Sequence, residues 1–123
     1  MISYLAVFIG GGLGAAMRLA ANNAFRCFGV NSVLATSFVN VVGSFILGFL
    51  GAYFCLKSSL PNWLKLSLTV GFCGGLTTFS TFSVECLEYV KSAKYHLFVI
   101  YSLVSIILCL SAVALGAYYA NKL

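Results

Sequence analysis

Gly71-Phe72-Cys73-Gly74-Gly75-Leu76-Thr77-Thr78-Phe79-Ser80-Thr81-Phe82-Ser83-Val84-Glu85 is the stretch whose reading decides the fold, because it sets glycines and hydroxyls inside an otherwise apolar segment. Backbone groups freed at membrane depth are tolerated only where protein buries them or where they line a water-filled cavity. The stretch is therefore read first as an ion or substrate site. The helix is expected to unwind around Gly71, Gly74 and Gly75 and to restart near Thr77 to Thr81. Unwound carbonyls coordinate a cation, while a restarting N-terminus presents N–H groups to an anion. Thr78, Phe82 and Glu85 fall at i, i+4 and i+7, with Phe79 three residues before Phe82, so hydroxyl, ring and carboxylate share one helical face.

Outward from that stretch, the chain has 123 residues, of which 62% are hydrophobic and 7% charged. A soluble domain averages about 25% charged residues, so this composition belongs in a bilayer. The apolar residues form runs over 3–25, 32–56, 64–89 and 97–119, each long enough for the ~20 residues of a spanning helix. The expected architecture is an all-α membrane protein: one domain over 1–123, four transmembrane helices with a broken third, and both termini on one side. The first run lacks a basic leader and is followed by further spans, so it is read as a mature helix rather than a signal peptide.

The net charge of +5 does not point to nucleic acid, because the basic residues are dispersed and form no patch. Lys57, Lys65 and Lys122 fall on the side of the termini, and Arg26, Lys91 and Lys94 on the opposite side, with Arg18 inside the first span. Orientation is normally set by an excess of Lys and Arg in cytoplasmic loops, and here that excess is nearly nil. The balance predicts a chain that inserts both ways, two opposed copies pairing about an axis in the membrane plane. Labelling of terminal cysteines in only one orientation, from one side of a sealed membrane, would sink that expectation. Cys27, Cys55, Cys73, Cys86 and Cys109 show no C-x-x-C spacing and read as small apolar fillers. The lone His96 sits at the mouth of the fourth span and reads as interfacial. No phosphate-binding loop, catalytic triad or metal cluster is present, so an enzyme is not expected.

Along the chain, Gly10 and Gly14 make a small-xxx-small pair and Arg18 continues their stripe, placing close helix approach and a charge on one face. An arginine inside a span is costly to expose to lipid and is expected to face the bundle or a vestibule, or to snorkel. The second span carries Thr36, Asn40, Ser44 and Gly48 at i+4 spacing. Interhelical hydrogen bonding accounts for Thr36 and Ser44. Asn40 is singled out, since an amide at mid-membrane must find partners and offers N–H donors to a passing anion. Pro61 suits the first turn of the third span and Trp63 the interfacial belt. In the fourth span Tyr101, Ser105 and Cys109 form a thinly polar stripe at i, i+4 and i+8.

The segment 71–82, together with Gly11-Gly12-Leu13-Gly14-Ala15 leading to Arg18 and with Val39-Asn40-Val41-Val42-Gly43-Ser44-Phe45, closely resembles the Fluc (CrcB) family of fluoride channels over essentially the whole chain. The resemblance implies passive export of fluoride across the cell (plasma or inner) membrane by a multi-pass protein. It also implies a homodimer of oppositely oriented subunits, two separate pores and a central structural sodium ion. By that resemblance Phe79 and Phe82 are the pore phenylalanines and Asn40 the pore asparagine. Arg18 is the arginine of the first helix, and Ser80, Thr81 and Glu85 share the pore segment. Tyr101 and Ser105 belong to a polar track whose next member is commonly serine and here is Cys109. Main-chain carbonyls of Gly74 and Thr77 are implied as sodium ligands, two from each subunit. The usual Gly-Thr-Leu run is departed from at Ala35 and Ser37, on either side of Thr36.

A fluoride pore must replace tightly held water with donors without binding the ion too tightly to release it. Asn40, Thr81 and Ser105 supply N–H and O–H groups, and the ring edges of Phe79 and Phe82 carry the positive part of the aromatic quadrupole. The rival reading is a small four-span proton-coupled multidrug exporter, which requires an intramembrane carboxylate. Only Glu85 and Glu88 are available, both late in the third span.

Overall fold

The computed structural model describes residues 1–56 and 59–123; Lys57 and Ser58, and with them one member of the charge count, lie outside the described residues. The described residues are helical throughout, without strands, in the order α1 (Ile2–Cys27), α2 (Ser32–Leu56), α3 (Asn62–Leu66), a π-helical segment (Ser67–Cys73), α4 (Gly74–Leu76), α5 (Phe79–Lys91) and α6 (Tyr95–Asn121). α1, α2 and α6 are each long and apolar enough to cross a membrane. The third apolar run extends over Asn62 to Lys91 as four successive segments.

Small residues on the inside and large apolar ones on the outside define the packing. The best-buried apolar positions include Ala35, Val39, Cys73, Ala112 and Ala120, whereas Leu13, Leu19, Ile107 and Leu110 are exposed. That inversion suits a chain solvated by lipid tails, where close backbone approach replaces hydrophobic burial as the cohesive term. Ala112, Gly116 and Ala120 bury one stripe of α6. A side chain at Gly116 would strike the Phe45 carbonyl, and one at Gly48 would strike Val113, so α2 and α6 meet backbone to backbone. This α6 stripe follows the small-xxx-small rule, although the sequence reading singled out only the polar face of that helix.

α1 makes a second close pair with the third run. A side chain at Gly10 would run into the Ser67 carbonyl, one at Gly14 into Phe72, and one at Gly75 into the Gly11 carbonyl. Ser67 Oγ donates to the Ala6 carbonyl at 2.7 Å, tying the π-helical segment to α1. The expected unwinding at the glycines is corrected here. Gly74 has helical angles (φ −65°, ψ −34°) and open space around it, while Gly71 and Gly75 serve close approach to α1. Extended backbone falls after Leu76, at Thr77 (φ −79°, ψ 157°) and Thr78 (φ −150°, ψ 115°).

Candidate functional site

Thr78 organises the site. Its backbone departs from the helix, and Asn40 of α2 answers with its whole amide. The Thr78 N–H donates to Asn40 Oδ1 at 2.7 Å, and Asn40 Nδ2 donates to the Thr78 carbonyl at 3.1 Å. In an unbroken helix that N–H would close on the carbonyl of Gly74, four residues back. Its diversion to Asn40 releases the Gly74 carbonyl, on an exposed residue. The second hydrogen of Asn40 Nδ2 is left over for another acceptor.

The Thr78 side chain caps α5. Its Oγ1 accepts from the Thr81 N–H at 3.2 Å, donates to Thr81 Oγ1 at 3.0 Å and lies 3.2 Å from Ser80 Oγ. Such a cap satisfies one of the orphan N–H groups at a helix start. Because Thr81 Oγ1 accepts from Thr78, its own hydrogen is free to donate elsewhere. The sequence reading placed Thr78 on the site face without giving it this role. The signal was available: a threonine just before a fresh amphipathic run is a helix-start residue.

Two turns into α5, Glu85 is only 6% exposed. Its Oε1 accepts from Thr36 Oγ1 at 2.9 Å and its Oε2 from the Tyr101 hydroxyl at 2.7 Å. Three helices, α2, α5 and α6, are joined through this carboxylate. Thr36 makes the interhelical bond expected of it, with Glu85 as the partner. Short O–H to carboxylate bonds are the strong kind, and both oxygens need partners because a buried charge without them is expensive.

The aromatic residues stand beside these groups. Phe79 and Phe82 are tilted against one another with centroids 5.6 Å apart, and Phe82 is tilted on Tyr101 at 5.0 Å. Phe82 is half-buried, whereas Phe79 is 79% exposed. Arg18 faces the bundle, its Nη1 donating to the Thr77 carbonyl at 3.5 Å, the long end of a hydrogen bond. A cavity of about 240 Å³ is lined by Asn22, Asn23, Arg26, Thr36, Thr81 and Glu85, among others. It leads from the end of α1 to the carboxylate.

The predicted residues thus separate into groups. Asn40, Ser80, Thr81, Glu85, Phe82 and Tyr101 are linked through Thr78, Thr36 or ring contact. Ser105 and Cys109 lie half-buried one and two turns beyond Tyr101 and find no hydrogen-bond partner among the described residues. Gly74 and Thr77 present carbonyls at the break, on the other side of Thr78 from the carboxylate.

The family model for CrcB-like protein, camphor resistance (CrcB), matches residues 5–117. The chain is 37% identical over 116 residues to a protein of Methylobacterium sp. (strain 4-46) named fluoride-specific ion channel FluC, covering 94% of each chain. It is 36% identical over 124 residues to the protein of that name from Granulibacter bethesdensis, covering 100% of this chain and 98% of the relative. A Serratia proteamaculans protein, also so named, is 45% identical over 94 residues, covering 76% of this chain and 73% of its own. With matches of this extent running through the glycines, the break and the carboxylate alike, the chain belongs to the CrcB family.

Proposed function

We propose that this protein is a fluoride-selective channel of the cell membrane, conducting passively through a path beside α5. The observation that carries the reading is the set of uncharged donors that the Thr78 break leaves beside two phenyl rings, in a chain whose full-length relatives are named fluoride-specific ion channels. The remaining Asn40 N–H, the Thr81, Ser80 and Ser105 hydroxyls and the ring edges of Phe79 and Phe82 hand the ion along. No single one holds it with a full positive charge. Glu85 works in the same sense. Its charge is masked by Thr36 and Tyr101, yet it opposes the over-tight binding that would stop conduction. The rival exporter needs a carboxylate that exchanges protons for a bulky cation; Glu85 is instead enclosed by two hydroxyls, and the family assignment leaves that rival without support.

The working unit is a homodimer of oppositely oriented copies with two pores. Phe79 supports this, because a large ring so exposed at the end of a polar path is placed to complete a pore shared with a second copy. The near balance of basic residues across the membrane supports the opposed orientation. The Gly74 and Thr77 carbonyls suit a sodium ion: they are hard oxygen donors, and the Gly74 carbonyl has lost its helical partner to Asn40. One chain offers two of them, so a second must close the cage. A bound sodium would supply a fixed positive charge at the dimer centre.

The deciding experiment is efflux from liposomes holding the purified protein, followed with fluoride and chloride electrodes in parallel. Rapid fluoride release without chloride release is expected. Absence of fluoride release from a folded dimer removes the reading, with Cys109→Ser as the first variant to try for its recovery.

A further inference from the structure

The Tyr101 ring has two aromatic neighbours. Phe82 is tilted against it with centroids 5.0 Å apart, and Tyr89 meets it edge to face, with centroids 6.2 Å apart and planes at 80°. Tyr89 sits one turn beyond Glu85 on α5, so the carboxylate and the ring that braces its donor project from the same face. The backbone there is fixed by the end of the helix. The Lys94 N–H donates to the Tyr89 carbonyl at 2.8 Å and the Ala93 N–H to Val90 at 3.0 Å, closing a cap of the Schellman type. Tyr89 also lines a polar cavity of about 200 Å³ with Asn31, Glu85, Glu88, Ser92 and Lys94.

We infer that Tyr89 is a positioning residue: its ring keeps the Tyr101 hydroxyl on Glu85 Oε2. The role belongs to the ring and not to the Tyr89 hydroxyl, which has no hydrogen-bond partner among the described residues. An edge-to-face contact restrains rotation because the positive ring edge prefers the partner's negative face. When the contact is lost, Tyr101 gains rotamers that leave Glu85 with one donor. The inference rests on the channel reading above and is tested so that the two can fail separately.

Wild type, Tyr89→Phe, Tyr89→Leu, Tyr89→Met, Tyr101→Phe and Tyr101→Phe combined with each aliphatic change are reconstituted, and fluoride release is measured from samples that elute as folded protein. Tyr89→Phe is expected at the wild-type rate. Tyr89→Leu and Tyr89→Met are expected to slow release by about tenfold, the population shift that one aromatic contact commands. In the Tyr101→Phe background the same changes should add nothing, since there is no hydroxyl left to position. Three results overturn the inference: wild-type rates in either aliphatic variant, an equal loss in both backgrounds, or a Tyr89→Phe variant as slow as Tyr89→Leu. Failure of both aliphatic variants to fold, with Tyr89→Phe intact, also overturns it, by making Tyr89 a determinant of folding. Silence of the wild type removes the channel reading and this inference with it.

Discussion

The two halves of the third apolar run are built on opposite principles. From Asn62 to Thr77 the contacts run to backbone: glycines let α1 approach, and hydroxyls donate to main-chain carbonyls, Ser67 Oγ to Ala6 of α1 at 2.7 Å, Thr69 Oγ1 to Lys65 at 2.8 Å and Thr77 Oγ1 to Cys73 at 2.9 Å. From Phe79 to Lys91 they are made mainly by side chains: Glu85, Ser80 and Thr81 bond to other side chains, the phenyl rings stand clear of the helical ladder, and Ser83 Oγ alone turns back, onto the Phe79 carbonyl at 2.9 Å. A hydroxyl that donates to a carbonyl has no hydrogen left for a passing anion. One that accepts from another side chain, as Thr81 Oγ1 does, keeps its hydrogen. The first half is therefore a scaffold and the second a site, with Thr78 and Asn40 marking the boundary.

The largest effect should come from breaking the scaffold. Gly14→Leu places a side chain against the Phe72 carbonyl and within 2.8 Å of the Leu76 amide, where backbone cannot yield. Loss of folded protein is expected, seen as aggregation in size-exclusion chromatography. Gly12 has open space around it, so Gly12→Leu should elute and conduct like wild type. Equal damage from both would mean that close packing of α1 is not what the glycines provide.

The site half should fail differently. Phe82→Ile keeps apolar volume and removes the ring edge, so fluoride release is expected to disappear while the protein stays folded. Full release in that variant would take the ring out of the mechanism. Smaller still is the effect expected of Thr78→Val, which keeps the shape and deletes the cap of α5. Losing an N-cap hydroxyl costs about 1 kcal/mol. Asn40 continues to hold the Thr78 backbone, so the variant should fold, melt lower in detergent and release fluoride several-fold more slowly. Thr69→Val, across the boundary, removes only a bond back onto its own helix and should change neither. If the two valine variants behave alike, the division into scaffold and site is wrong.

How much of this was legible beforehand follows the same division. The long apolar helices α1, α2 and α6 could be read because they are matters of composition within one segment, whereas Thr78, expected on one helical face with Phe82 and Glu85, stands outside α5 as its extended N-cap. Glycine was read as a helix breaker at Gly71, Gly74 and Gly75 because local propensity penalises it. In a bilayer, with no solvent-exposed backbone to lose, packing of Gly71 and Gly75 against α1 reverses that penalty, Gly74 stays helical between them, and the departure moves to Thr77 and Thr78. The Asn40 clasp and the bracing of Tyr101 by Tyr89 join residues 38 and 12 positions apart. No periodicity announces such pairs; only the packing of three helices brings them together.

The end of α5 offers the finest test of the comparison, because there a change can be made that touches neither scaffold contacts nor site donors. Ala93 adopts φ 55°, the left-handed position of the cap that follows Lys91. A β-carbon in that region costs about 1–2 kcal/mol, while glycine loses more chain entropy on folding, by about 0.4–1 kcal/mol. The first term is the larger, so Ala93→Gly should stabilise by about 0.5 kcal/mol and raise the melting midpoint in detergent slightly. Fluoride release should not change if Tyr89 already holds Tyr101 firmly, since the cap fixes the Tyr89 backbone in either variant. A faster or slower channel with the stabilised cap would mean that the orientation of Tyr89, and through it the donor on Glu85, is set by the loop rather than by the ring contact.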